Sequence, residues 1–294
     1  MARRRADACY RELGAELRKR RHAAKLTERE LGRQTGWSST KISRIESGHI
    51  GLPTVDVFHY LGPCKVYRPQ ALEMLELCRI ADRRLGYWLS PHGEWVNNQL
   101  HSLIFHESTA AESVMYEPLL VPGLLQTPEY ALAMNTGRSN RSHETISRYA
   151  QVRMRRQETL HRPTPARFDF YVHEQALRIP VGGSAVMHEQ VLKLVLLSGL
   201  PHITIRVVPI SAGEKSIFGG AFRLFGFERH DPLAYLDSHA HGVFLEGPEL
   251  VRPYSELLPD IAAIALNAED SRKFLAGLAS EYDLACTAGS DLVR

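Results

Sequence analysis

Residues 26–48, LTERELGRQTGWSSTKISRIESG, constrain the fold more than any other stretch of the chain. They hold two short helical patterns parted by a glycine. The first opens at Thr27, with Glu30 three positions on, the spacing of a T-x-x-E capping box. Gly36 suits the left-handed residue that stops such a helix. The second opens at Ser38, a good N-cap, and ends at Gly48. Within it Ile42 and Ile45 lie three apart and share one face. Thr40, Ser43, Arg44 and Ser47 then project the other way. A merely solvated face usually carries long charged side chains at most positions. Small hydroxyls beside one arginine suit close approach to another polar surface.

The flanks extend this pattern. YRELGAELRKRRHAA precedes it as a helix with Leu13 and Leu17 four apart. LPTVDVFHYLGPCKV after Pro53 and PQALEMLELCRIADRRL follow as two more. The five helices predict a compact helical domain over residues 1–85. Residues 86–162 read as a mainly helical connector, broken by prolines in EPLLVPG. Its last helix, RSHETISRYAQVRMRRQETLHR, carries arginines that read as a solvated face or an interdomain contact. From Pro163 the pattern changes. ARFDFYVHEQAL alternates like a strand, GGSAVMHEQVLKLVLLSGL is a helix, and ITIRVVPI is rich in β-branched residues. FGGAFRLFGFE, LAYLDS and GVFLEG are further short strands, and the C-terminus is helical. The expected class is mainly α with α/β: a helical first domain, a connector, and a mixed α+β domain over residues 163–294.

Charge is unevenly divided. Residues 1–50 hold 13 basic and 6 acidic side chains, and the rest of the chain 23 and 27. A basic module on a mildly acidic body points to nucleic acid at one end. Anionic lipid is the competing partner, and residues 1–50 lack the broad aromatic-rich apolar face it requires. The four cysteines, Cys9, Cys64, Cys78 and Cys286, form no Cys-x-x-Cys pair, which argues against a zinc finger. MARRRADACY is not followed by an apolar run, so no secretory signal is expected, and no stretch has the length of a membrane span. A cytoplasmic protein with reduced thiols is the expectation.

Taken together, Leu26, Thr27, Glu30, Leu31, Gly36, Ser38, Ile42, Ser43, Ile45, Glu46 and Gly48 resemble the XRE (Cro/C1-type repressor) helix-turn-helix family over about residues 10–82. The resemblance implies a five-helix domain whose third helix, residues 38–47, enters the major groove of double-stranded DNA. It implies base contacts from Ser39, Thr40 and Arg44, the last having the fork that reads guanine. Phosphate contacts would come from Ser38, Lys41 and Ser43, with Thr27, Arg29 and Lys25 around the first turn of the second helix. Arg21 and Glu46 match a buried structural ion pair. One departure stands out: Glu28 occupies a place where the family often carries a phosphate-binding glutamine. Backbone amides of that turn, with Lys25 or Arg29, would substitute. The arginines at positions 3–5 read either as an arm along the DNA backbone or as a disordered basic terminus.

The motifs YEPLLVPGLLQTPEYALA, YVHEQALRIPVGG and VVPISAGEKSIFGGAFRLFGF resemble the C-terminal domain joined to XRE modules in many actinobacterial regulators. That domain is of unknown function and often described as antitoxin-like. The resemblance spans about residues 95–280 and implies a regulator, often encoded beside a small partner protein.

Sites of other chemistry are weakly supported. In LDSHAHG, Asp237, His239 and His241 could share a metal if they faced one side of a strand, with His230 or Glu246 added. The segment reads instead as a polar strand end and turn. Lys215 lies in no phosphate-loop pattern, and Ser184 lacks the G-x-S-x-G setting of a hydrolase nucleophile. EPLLVPGLLQTPEY reads as a proline-set turn feeding a helix rather than a loop over an apolar groove. No catalytic constellation, cofactor or metal is expected. The first reading is a homodimeric DNA-binding transcriptional regulator that answers a small-molecule effector or a partner protein. The alternatives are an antitoxin-like protein that binds a small partner and autoregulates its operon, and a metal-dependent enzyme with a DNA-targeting module.

Overall fold

The computed structural model describes residues 8–83, 87–89, 97–136, 143–237 and 242–291. The chain forms two compact units. One comprises Met1–Phe105 with Phe227–Leu233 and Ser238–Val251, the other His106–Gly226 with Ala234–Asp237 and Arg252–Arg294.

The first unit opens with five helices: α1 (Ala8–Ala23), α2 (Glu28–Thr35), α3 (Ser39–Glu46), α4 (Thr54–Leu61) and α5 (Arg68–Arg83). Leu13, Leu17, Leu31, Ile42, Ile45, Val57, Tyr60, Met74 and Cys78 are buried at their centre. These are the apolar positions of each helical repeat, so one core forms from all five. Two glycines let α1 approach the end of α3. A Cβ on Gly14 would fall 2.5 Å from the carbonyl oxygen of Ile45, and one on Gly48 would fall 2.7 Å from the backbone nitrogen of Arg11. Gly48 also has φ 74°, so glycine there answers both space and backbone conformation. The unit also contains a short antiparallel pair, β1 (Tyr87–Leu89) with β7 (Gly242–Leu245), in the register Trp88↔Phe244.

α6 (Asn97–Thr109) leads into the second unit. The sheet there is built from β2 (Glu112–Glu117), β3 (Arg167–His173), β4 (Ile203–Val208), β5 (Phe222–Gly226) and β6 (Leu233–Asp237), in the order β6-β5-β2-β3-β4. β2, β3 and β4 run parallel, and β5 is antiparallel to β2. The crossovers carry α7 (Pro128–Thr136), α8 (His143–Arg156), α9 (Glu174–Arg178) and α10 (Ser184–Leu197), and α11 (Pro248–Ile264) and α12 (Ala268–Asp291) end the chain. Residues paired across parallel strands share a face, so Phe168, Phe170 and Val172 lie beside Ile203, Ile205 and Val207. Met187, Val191 and Leu194 of α10 and Leu275 and Leu278 of α12 cover them as one apolar core.

The connector reading of residues 86–162 needs correction: the stretch is mainly helical, but β1 and β2 lie inside it, and β2 pairs with both β3 and β5. Its sequence, ESVMYE, has charged ends and too short an alternation to announce an interior strand.

Candidate nucleic-acid interface

Local chemistry sets the helix pair. The Thr27 hydroxyl accepts the N–H of Glu30 at 3.2 Å, and the Glu30 carboxylate accepts the N–H of Thr27 at 2.7 Å. The capping box is therefore complete, and its hydrogen bonds hold the Glu30 carboxyl below the usual range. Gly36 ends α2 at φ 71°. Ser38 caps α3, its Oγ accepting the N–H of Lys41 at 3.1 Å.

Long-range contacts then fix how α3 is presented. Arg21 of α1 donates from Nε and Nη2 to the two carboxylate oxygens of Glu46, each at 2.7 Å, and from Nη1 to the carbonyl of Leu26 at 2.8 Å. The Tyr60 hydroxyl of α4 donates to the same carboxylate at 2.6 Å. Both charged side chains are almost fully buried, at 7% and 4% exposure. One network thus joins α1, the turn before α2, the last turn of α3, and α4. Burial and the Glu46 carboxylate push the Tyr60 phenol far up, so it stays a donor at any ordinary pH.

The face of α3 opposite Ile42 and Ile45 is open. Thr40, Ser43 and Arg44 are exposed and Ser39 is half-buried. No hydrogen bond or ion pair holds the Arg44 side chain among the described residues, so its five N–H donors face outward. The residues assigned to phosphate divide into two groups. Ser38, Ser43, Lys25 and Arg29 are exposed, and Lys25 has a left-handed backbone at φ 57°. Lys41 and Thr27 are engaged within the protein. The Lys41 ammonium lies 3.7 Å from the centre of the Trp37 ring and 3.6 Å from the Asp56 carboxylate. The Thr27 hydroxyl also donates to Glu30 at 2.7 Å, so its proton is already used. Glu28, the departure from the family pattern, is half-buried with its carboxylate 3.9 Å from Arg21 Nη2. Its charge is thereby directed toward the ion-pair network. The Trp37–Lys41 contact spans one helical turn and was legible as an i,i+4 pair; Asp56 was not, because nothing local links α4 to α3.

Elsewhere the candidates separate. His239 and His241, and the arginines at positions 3–5, lie outside the described residues. Among the described residues no group of three His, Cys, Asp or Glu side chains could hold a metal. Ser184 opens α10 and Lys215 is exposed. A serine–histidine pair that sequence did not suggest does exist: His173 Nε2 lies 3.2 Å from Ser216 Oγ. His173 Nδ1, however, accepts the N–H of Gln175 at 3.1 Å, and Ser216 donates to the carbonyl of Gly213 at 2.7 Å. The imidazole therefore carries its proton on Nε2 and offers the serine no base.

Arg156 of α8 is not part of a solvated face, which corrects the sequence expectation for it, while Arg155 is exposed. Arg156 donates to both oxygens of Glu107, at 2.7 and 3.1 Å, and Arg223 of β5 donates to the same carboxylate and, at 2.7 Å, to Ser113. Burial pushes the Glu107 carboxyl up, but the two guanidinium groups more than offset it and hold it below the usual range.

Comparison with known families gives two matches, one in each part of the chain. Residues 12–67 match a helix-turn-helix domain, and residues 100–277 match a domain of unknown function, DUF5753. No curated protein matches the chain. Among the described residues no helix is long and apolar enough to cross a membrane. Because the second match covers more than half of its length, the chain belongs to the DUF5753 family, with a helix-turn-helix domain at its N-terminal end.

Proposed function

We propose that the chain is a sequence-specific transcriptional regulator that binds double-stranded DNA through α3, and that it is cytoplasmic and not an enzyme. The observation that carries this reading is the combination on α3 of a rigidly anchored inner face and an open outer one. Arg21, Glu46 and Tyr60 fix the end of the helix, while Thr40, Ser43 and the unpaired Arg44 guanidinium face outward. An open arginine fork beside small hydroxyls, on a helix whose end is held, suits a guanine edge in the major groove. The basic excess of residues 1–50 supplies attraction for phosphate. A single α3 spans few base pairs, so the regulator acts as a homodimer on half-sites about 34 Å apart. The second unit is the sensor, for a small effector or a partner protein.

Selection of bound sequences from a random DNA pool tests this. Enrichment of an inverted repeat by the wild-type chain, lost in Arg44→Ala, is the expected result. A pool that stays random after selection would remove the sequence-specific reading.

A further inference from the structure

We propose that the outer face of α10 is a homodimer seam, on which α10 of a second copy packs antiparallel about a two-fold axis between Leu192 and Leu196. The inference deepens the homodimer reading above by naming its surface, and rests on that reading for the presence of a second copy.

α10 is apolar on two sides. Met187, Val191 and Leu194 turn to the sheet and are fully buried. Leu192 and Leu196 lie on another side of the helix and are 36% and 75% exposed. A helix that only covers a sheet needs one apolar stripe, and leucines held in water contribute nothing to its burial. The two leucines belong to a line. Glu189, Leu192, Leu196 and Gly199 are spaced three, four and three apart, and all four are exposed. That spacing keeps them on one side of the helix and is the spacing by which paired helices interlock. Gly199 lies just past the last turn, its N–H donating to the Leu196 carbonyl at 3.1 Å.

The two ends of the line carry opposite charge. Glu189 supplies the acidic end. Arg272 of α12 supplies the basic one, since a Cβ on Gly199 would lie 3.9 Å from Arg272 Nη2. No hydrogen bond or ion pair engages the Glu189 or the Arg272 side chain among the described residues. Within one protomer they cannot meet, because Glu189 and Gly199 stand about 15 Å apart along the helix axis. Lys273, the next cation of α12, is instead paired with Glu269 and Asp270 of its own helix.

Two-fold symmetry makes this line complementary to itself. In an isologous contact residue i meets j while j meets i. With the axis between Leu192 and Leu196, each leucine meets the other across the seam. Glu189 then falls opposite the partner's Gly199, where the missing side chain leaves the partner's Arg272 within reach. Symmetry repeats the pair, so two ion pairs flank an apolar centre. Parallel packing would set Glu189 against its own copy and Arg272 against its own. Like charges facing each other disfavour that arrangement, so the charges select the antiparallel one. Any other partner would have to carry a basic and an acidic group at this same separation; a second copy carries them already.

Sedimentation velocity of the full chain without DNA tests the seam. The wild-type chain should be a dimer. Leu196→Asp should weaken dimerisation about tenfold or more, because it sets an unpaired charge at the apolar centre. Glu189→Arg and Arg272→Glu should each weaken it alone, and together they should restore it, since the pairs then form with their signs exchanged. All three positions are exposed, so circular dichroism should show a folded chain in every variant. A wild-type monomer, a dimer indifferent to Leu196→Asp, or a double variant no better than either single one would each overturn the seam. Selection of DNA by the same proteins keeps the two readings apart. A dimer that ignores the variants yet enriches an inverted repeat sinks this inference alone. A dimer that follows the variants while the DNA pool stays random sinks the regulator reading alone.

Discussion

Gly14 of α1 and Ile45 of α3 meet backbone to backbone: a Cβ on Gly14 would fall 2.5 Å from the Ile45 carbonyl oxygen and 2.6 Å from that of Glu46. Neither obstacle is a side chain that could swing aside. α3 is therefore positioned by a hydrogen atom's worth of space on its neighbour.

Gly14→Ala should displace the end of α3, costing about 1–3 kcal/mol in overpacking and lowering DNA affinity. Gly36→Ala is the useful comparison, since nothing lies within 4 Å of its added Cβ and only its φ of 71° is strained. Urea unfolding and gel-shift titration of both variants separate the two effects. Unchanged DNA affinity in a folded Gly14→Ala protein would show that α3 tolerates the shift.

Arg21→Ala leaves Glu46 buried with only Tyr60 and the distant Arg18 guanidinium, 3.8 Å away, to answer it. The expected loss is about 3–5 kcal/mol in urea melts near neutral pH. Tyr60→Phe removes one hydrogen bond to the same carboxylate and should cost about 1.5–3 kcal/mol. The two losses should not add, because both act on one group.

On DNA, Arg44→Ala should lower specific affinity by about 1–3 kcal/mol and leave binding to random sequence nearly intact. Lys41→Ala should change the salt dependence of binding less than Arg29→Ala, since Trp37 and Asp56 already hold the Lys41 ammonium. Equal weakening on operator and random DNA by Arg44→Ala would place that residue on phosphate instead.

Two carboxyls make stability depend on pH. Burial raises Glu12 from 4.5 to about 7, and raises Glu117 from 4.5 to about 8. Each binds its proton more tightly in the folded chain, so its contribution is fully present below pH 4.5 and is lost as pH rises through the folded value. The chain should lose stability between about pH 5 and pH 8, and Glu117→Gln should recover at least about 1 kcal/mol at the upper end. Denaturant melts across this range check the sign. A Glu117→Gln gain confined to acid pH would contradict it.

The helix pair was readable in advance because its determinants are local. Thr27 and Glu30 are three residues apart, Ser38 caps the amide of Lys41, and Gly36 supplies a backbone conformation that few residues adopt. Such interactions form within one turn of chain and leave their spacing in the sequence. The strands β3 and β4 were readable for a similar reason, since their alternation and β-branching are intrinsic to each segment.

What the sequence alone determined about this protein is thus its helix-turn-helix, its basic end and the outline of an α+β second half. The tertiary structure decided the rest. Arg156 and Arg223 meet Glu107 across 49 and 116 residues, which drew one arginine of an apparently solvated helix into a buried charge network. β2 became a strand because β3 and β5 flank it, not because ESVMYE demands one. Burial and pairing are properties of what lies across the fold, and no window of sequence contains them.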